Sequence, residues 1–159
     1  LGVTMLSELD IKILKELSID GRLSLRKLAE KLRVPIATVA KHVKKLENEG
    51  VIKGYTLRLD FDKLGYELTA VIEVTVSGGK LLDVEKAIAK NPCVQAVYDV
   101  TGGVDVYVIA RFKNRSELSS FVKGLLSTPY IERTNTHIVL TTIKEDFTAP
   151  IFRSSANLH

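Results

Sequence analysis

After residue 66 the spacing of the apolar residues alternates between two periods, and no other feature constrains the fold as strongly. In four segments apolar side chains recur at every second position, which is typical of half-buried strands. These segments are 68–76, 94–100, 104–112 and about 131–143. Between them, 81–88 and 118–126 carry apolar residues at helical spacing. The order strand, helix, strand, strand, helix, strand predicts a ferredoxin-like βαββαβ domain with a four-stranded antiparallel sheet.

Such a sheet has two faces, and the two helices cover only one of them. The other face is left exposed, although large contiguous apolar patches are uncommon on the surface of monomeric proteins. We therefore expect the chain to associate with itself through this face of the sheet.

The first third of the chain predicts three helices followed by a strand. Ser7 and Asp10 have the spacing of a capping box at the start of the first helix, and Ser24 can cap the second. The turn 33–35 then interrupts the helical pattern, with Pro35 suited to the first turn of a third helix. An alternating run over 51–59 predicts a wing-like strand. Together these elements indicate a winged helix-turn-helix, and with the sheet domain an α+β chain.

The basic charge of the chain is concentrated in this first third. Residues 22–58 contain ten basic and three acidic side chains, a ratio that favours contact with double-stranded DNA. On the third helix, small and polar side chains at the N-terminal end are expected to reach base edges, and the later lysines to contact phosphate. The predicted DNA-binding residues are Arg26, Ala37, Thr38, Lys41, His42, Lys44, Lys45, Lys53 and Arg58.

Several spaced motifs resemble those of one protein family. They are Leu9-Asp10 with Ile13-Leu14, Asp20-Gly21-Arg22, Leu28-Ala29, Val43-x-x-Leu46-Glu47 and Gly50-Val-Ile-x-Gly-Tyr55. These residues resemble the N-terminal half of the Lrp/AsnC, or feast/famine, transcription regulators, of the archaeal or thermophile type. The family often has Ser where this chain has Pro35, and Arg where it has His42. The missing Ser cap puts the local backbone-phosphate contact in doubt, whereas the fold is unaffected.

The C-terminal half is similar to the ligand-sensing and assembly domain of the same family. This resemblance implies a homodimer that assembles into higher oligomers such as an octamer, and an effector, commonly an amino acid, bound near the loop between the second and third sheet strands. The residues implied or suggested there are Asp99, Thr101, Gly102, Gly103, Asp105, Thr134 and Thr136.

Within this set, Gly102-Gly103 predicts a tight two-residue hairpin turn, which requires positive φ angles. Such a turn does not by itself need Asp105, so this acid is expected to serve a ligand. Asp99 either adds a second carboxylate for the ammonium group of an amino acid or is simply a solvated acid at a strand edge.

The remaining sequence features restrict the class of protein. Cys93 is the only cysteine, so an intramolecular disulfide is impossible, and no motif for a nucleophile, a metal or a phosphate loop occurs. We expect neither enzyme activity nor a cofactor nor a metal, and a cytoplasmic protein without a membrane span.

The leading hypothesis is an oligomeric, sequence-specific transcription regulator modulated by a small molecule. The alternative is a small-molecule-binding regulatory module with a basic helical adaptor for protein. The predicted domains are a helix-turn-helix at 1–54, a linker strand at 55–65, an effector-sensing and oligomerisation domain at 66–152 and a flexible tail at 153–159.

Overall fold

The computed structural model of the protein describes residues 5–147. The predicted tail at 153–159 and the end of the preceding predicted domain, 148–152, lie outside these residues. The described chain forms two compact units. We call residues 5–58 with 145–147 the N-terminal unit, and Leu59–Lys144 the C-terminal unit.

The N-terminal unit contains three helices, as predicted. They are α1 (Glu8–Ile19), α2 (Leu25–Leu32) and α3 (Ile36–Asn48). The capping box is present, because Ser7 Oγ accepts the Asp10 N–H at 3.1 Å and Asp10 Oδ2 accepts the Ser7 N–H at 2.9 Å. Ser24 Oγ accepts the Lys27 N–H at 3.2 Å and caps α2. Pro35 is the N-cap of α3, one residue before the predicted first-turn position.

The apolar stripes of the three helices meet in one buried cluster. It consists of Ile13, Leu28, Ala29, Val39, Val43 and Leu46. Between α2 and α3, Arg33 takes the left-handed conformation, with φ 55° and ψ 44°, and its N–H returns to the last turn of α2. This reversal takes only three residues, and two packed helices joined by so short a turn form a helix-turn-helix.

The prediction of a strand over 51–59, and of a linker strand at 55–65, was wrong. In the described chain, residues 53–60 have no regular secondary structure and 61–65 form a turn. The alternating side chains of Tyr55, Leu57 and Leu59 are exposed. A strand requires a neighbour to pair its backbone N–H and C=O groups, and the alternation of side chains carries no information about such a neighbour.

The C-terminal unit has the predicted order of strands and helices. It contains β1 (Leu68–Val76), α4 (Leu81–Ala89), β2 (Val94–Asp99), β3 (Val106–Phe112), α5 (Arg115–Leu126) and β4 (Ile131–Ile138). The strands form one antiparallel sheet in the order β2-β3-β1-β4. The predicted α+β, ferredoxin-like fold class is confirmed.

The last strand ends at Ile138, whereas the pattern predicted a strand to about 143. Ile138 pairs with Ala70, and the Val139 N–H donates to the Thr69 carbonyl at 2.9 Å. Because β1 begins at Leu68, the register leaves only one further position on β1, opposite Leu140, and the chain after Leu140 has no partner on β1. Leu140, which is 95% exposed, shows that the apolar alternation continues beyond the end of the pairing.

The core of the C-terminal unit lies between the sheet and the two helices. Its buried strand residues are Ala70, Ile72, Val74, Val106, Val108, Ala110 and Phe112, and its buried helix residues are Val84, Ile88, Leu118 and Leu125. The alternate strand residues, including Val71, Glu73, Tyr107 and Ile109, point to the side without helices, which we call the open face.

The connection between β2 and β3 is longer than the predicted two-residue turn. The Val100 N–H donates to the Asp105 carbonyl at 3.0 Å, so residues 101–104 form the loop. Gly102 has φ 133°, but Gly103 is not among the residues with positive φ. At the end of this loop the Asp105 N–H donates to the Val74 carbonyl of β1 at 3.2 Å.

Candidate nucleic-acid interface and effector region

The outward side of α3 carries the exposed residues Ala37, Lys41 and Lys44 at positions i, i+4 and i+7. We call these three residues the outward strip. Thr38 beside it is half-buried. Arg26 on α2 and the segment after α3, with Lys53 and Arg58, add exposed cations. The N-terminal unit therefore presents a short apolar and then basic surface along α3.

Two of the predicted DNA-binding residues point elsewhere. His42 Nδ1 lies 2.7 Å from Asp10 Oδ1, and Lys45 Nζ lies 3.3 Å from Asp10 Oδ2. Both side chains reach from α3 to the start of α1 and are half-buried, so Asp10 holds them, and their contact with DNA stays a prediction. The helical projection placed Lys45 on the exposed face of α3 and His42 at its flank, and it carries no information about the buried carboxylate on α1.

Asp10 is the buried centre of this arrangement, with 0% of its surface exposed. Burial alone raises the pKa of its carboxyl group, but hydrogen bonds from His42, Ser7 and Lys45 outweigh burial and hold the pKa well below its ordinary value. The sequence contained a signal for this role. Asp10 precedes the buried Ile13 by three residues, so a carboxylate occupies the apolar stripe of α1.

The structure adds Ile36 and Arg33 to the residues near the start of α3. They share a surface cleft of about 580 Å³ with Arg26, Glu30 and Pro35. The side chain of Ile36 is 50% exposed. The exposure of Ile36 could have been predicted from its place in the first turn of α3, since residues at helix ends have fewer packing neighbours than residues in helix middles.

In the effector region, Thr101, Gly102 and Gly103 are exposed in the β2–β3 loop. Asp105 is half-buried, and its Oδ2 accepts the Val76 N–H at 2.8 Å. Asp105 therefore has a role in the local fold beside the turn, and its role in ligand binding stays a prediction. Its carboxylate satisfies a backbone donor at the end of β1, where the pairing between β1 and β4 becomes irregular.

The two predicted hydroxyl residues lie away from this loop. Thr134 pairs with Val74 and Thr136 with Ile72, so both belong to β4. Asp99 ends β2, and β2 and β4 are the opposite edges of the sheet. Three strand spacings, about 14 Å, separate these edges. A single chain therefore does not bring Thr134 and Thr136 together with Asp99.

Glu85 of α4 is a charged residue of this region that the sequence reasoning missed. Its Oε1 is buried and has no hydrogen-bond partner among the described residues. Burial raises the pKa of the Glu85 carboxyl group, and the negative charge of Asp99 raises it further. Glu85 follows Leu81 by four residues and precedes Ile88 by three, so it lies on the apolar side of α4. This position could have identified Glu85 as a partly buried acid from the sequence.

The open face has a polar centre. Glu73 accepts hydrogen bonds from Tyr107 Oη at 3.2 Å and Asn135 Nδ2 at 3.1 Å, and His137 Nε2 lies 3.4 Å from its carboxylate. The Asn135 bond is the main cause of the lowered pKa of Glu73. Val71 and Ile109 pair beside this centre, so the open face is mixed rather than purely apolar.

The described residues include no group of three or more His, Cys, Asp or Glu side chains arranged to hold a metal ion. In the same part of the chain, no helix has the length and apolar content needed to cross a membrane.

Two family models match the chain. Residues 6–53 match a family described as winged helix-turn-helix DNA-binding, and residues 69–149 match the Lrp/AsnC ligand binding domain. An HTH-type transcriptional regulator of Pyrococcus abyssi, described as uncharacterized, is 49% identical and covers 90% of this chain and 97% of its own. HTH-type transcriptional regulator FL11 of Pyrococcus horikoshii is 40% identical over 92% of this chain and 97% of its own.

Solved structures of similar proteins agree with these matches. A transcriptional regulator of Neisseria meningitidis in complex with L-Met superposes with a TM-score of 0.86 at 28% identity, over 92% of this chain and 97% of that chain. LrpC of Bacillus subtilis superposes with a TM-score of 0.79 at 28% identity, over 89% and 99% of the two chains.

Proposed function

The chain belongs to the Lrp/AsnC family of DNA-binding transcription regulators, and from this premise we propose that it binds its operator through the outward strip of α3. The proposal rests on the observation that some polar side chains of α3 are held by α1 and others are exposed. His42 and Lys45 are held by Asp10, whereas Lys41 and Lys44 are exposed. The exposed lysines are therefore available to phosphate groups.

In this proposal Ala37 lies against base edges in the major groove, because the N-terminal end of a recognition helix enters the groove first. Lys41 and Lys44, further along α3, contact the phosphate backbone. Arg26, Lys53 and Arg58 add flanking phosphate contacts. These contacts fix the position of the protein on DNA and make its affinity depend on salt.

We further propose that residues 66–152 assemble the protein through the open face, first as a homodimer and then as a higher oligomer such as an octamer. The pair Val71 and Ile109 would supply apolar contact, and the Glu73 network would supply directional hydrogen bonds. A dimer presents two α3 helices to half-sites separated by about 10 base pairs or a multiple of that distance.

An amino acid is the proposed effector class, since one solved relative is described as a complex with L-Met. Asp99 and the half-buried Glu85 would attract its ammonium group beside the exposed loop 101–103. Thr134 and Thr136 would join this site only from another chain, because they lie on the opposite edge of the sheet. We propose that the protein has no catalytic activity. We also propose that it acts in the cytoplasm.

Selection of operators from a random duplex library, followed by fluorescence anisotropy, tests the DNA-binding proposal. We expect saturable binding to the selected duplex that is at least ~10³-fold tighter than binding to a scrambled duplex. The alternative function, a regulatory module with a basic adaptor for protein, predicts no such preference. Equal binding to selected and scrambled duplexes would refute sequence-specific recognition.

Calorimetry with each of the twenty amino acids tests the effector proposal. We expect at least one amino acid to bind the wild-type chain and to bind Asp99→Asn more weakly. Glu67→Gln is the matched control, because Glu67 is an exposed acid before β1. If no amino acid binds, the effector class is wrong, while the DNA-binding proposal is unaffected.

A further inference from the structure

The first turn of α3 exposes apolar side chains on a basic surface. Ile36 is 50% exposed, Ala37 is exposed, and both follow the N-cap Pro35. Ile36 and Pro35 line the same cleft as Arg26 and Arg33. An exposed isoleucine alone is ordinary on a protein surface. Its position at the end of α3 that is proposed to enter the major groove makes it informative.

The side chains that usually read adenine and cytosine are missing from the start of α3. Residues 33–45 contain no Asn, Gln, Asp or Glu, so the bidentate contact to adenine and the acceptor contact to cytosine are excluded there. The exposed cation of α3 closest to the first turn is Lys41, four residues after Ala37. Thr38 is half-buried, so the exposed side chains of the first turn, Ile36 and Ala37, offer only apolar contact.

The major groove displays one apolar group, the 5-methyl group of thymine. We propose that Ile36 and Ala37 select thymine in each half-site by packing against this methyl group, while Arg26 and Arg33 neutralise the adjacent phosphates. This inference rests on the proposed DNA binding by α3 and adds the base that its first turn recognises.

Uracil differs from thymine only by the missing 5-methyl group, so uracil substitution isolates the proposed contact. In the operator selected from a random library, each thymine would be replaced by uracil, one position at a time on each strand. We expect one or two positions per half-site at which the dissociation constant rises about fourfold, the equivalent of ~0.8 kcal/mol for one buried methyl group. Uracil elsewhere should have no effect.

The variant Ile36→Ala removes the apolar partner without disturbing a buried core residue. We expect it to bind the thymine and the uracil operators with equal affinity. Ile19→Ala is the matched control, because Ile19 is a 71% exposed isoleucine at the end of α1, and it should keep the full uracil effect. Thermal melts of both variants verify that they fold.

The possible outcomes separate the two proposals. If an operator is selected but uracil has no effect at any position, thymine recognition by methyl contact is wrong and the proposed function stands. The inference is equally overturned if both Ile36→Ala and Ala37→Gly keep the full uracil effect. If no sequence is selected, the proposed function itself fails and the inference fails with it.

Discussion

Replacement of Asp10 by Asn is expected to destabilise the N-terminal unit by about 2 to 3 kcal/mol. The buried carboxylate accepts a hydrogen bond from His42 at 2.7 Å and one from Lys45 at 3.3 Å. A hydrogen bond to a charged group contributes about 1.5 to 3 kcal/mol. The side chain of Lys45 is 41% exposed, so solvent screens its contact to less than about 1 kcal/mol, and the His42 contact supplies the rest.

Asn is the informative replacement because it is isosteric with Asp and keeps an acceptor for the Ser7 N–H. The loss then reports the missing charge rather than a missing cap. Hydrogen exchange followed by mass spectrometry can measure it in the full chain, since exchange of the α1 and α3 amides reports the opening of the N-terminal unit. Lys44→Ala is the control, because Lys44 is exposed on the same helix.

The same contacts predict a pH dependence. The pKa of Asp10 is lowered on folding, so its contribution is complete above the ordinary value of 3.8 and is lost as the pH falls through the folded value. The exchange-derived stability of Asp10→Asn should therefore approach that of the wild type in strong acid. Equal stability of variant and wild type at pH 7, within about 0.5 kcal/mol, would refute the proposed role of Asp10.

Three further substitutions test local parts of the structure. Arg33→Gly should stabilise the N-terminal unit by about 0.5 to 1 kcal/mol in urea titrations, because glycine adopts the left-handed conformation without the penalty of a side chain, and Arg33→Ala should not. Asp105→Ala should destabilise the C-terminal unit by about 1 to 2 kcal/mol by leaving the Val76 N–H unsatisfied, whereas Asp105→Asn should recover most of this in thermal melts. The pKa of Glu85 is raised on folding, so ionisation of this group destabilises the fold as the pH rises above about 4.5. The melting temperature of Glu85→Gln should therefore be higher than that of the wild type at pH 7 but not at pH 4.

Apolar spacing predicted the helices and most strands because it records which side of each element is buried. Ser7 and Ser24 marked helix starts correctly, since a cap acts within four residues of the chain. The predictions of the wing strand and of the end of β4 were wrong because apolar spacing does not record which backbone groups have a neighbour to pair with. In the described chain, the segment 53–60 has no strand beside it to pair with, and β4 cannot pair beyond the start of β1 at Leu68.

Side-chain roles were harder to predict when the partner lies far along the chain. Asp10 contacts His42 across 32 positions, and Asp105 contacts Val76 across 29. Neither separation produces a periodic pattern. The helical projection therefore placed Lys45 on the exposed face of α3 and His42 at its flank, although a buried carboxylate from α1 holds both.

The salt dependence of operator binding tests the central claim most directly, namely that Lys41 and Lys44 of the outward strip contact the DNA backbone. The slope of log affinity against log salt is expected to be about 1.8 smaller in magnitude for Lys41→Ala combined with Lys44→Ala, because each phosphate contact contributes about 0.9. The charge-matched pair Lys12→Ala with Lys15→Ala on α1 should keep the wild-type slope. An unchanged slope in the α3 variant, or an equal decrease in the α1 variant, would contradict the account.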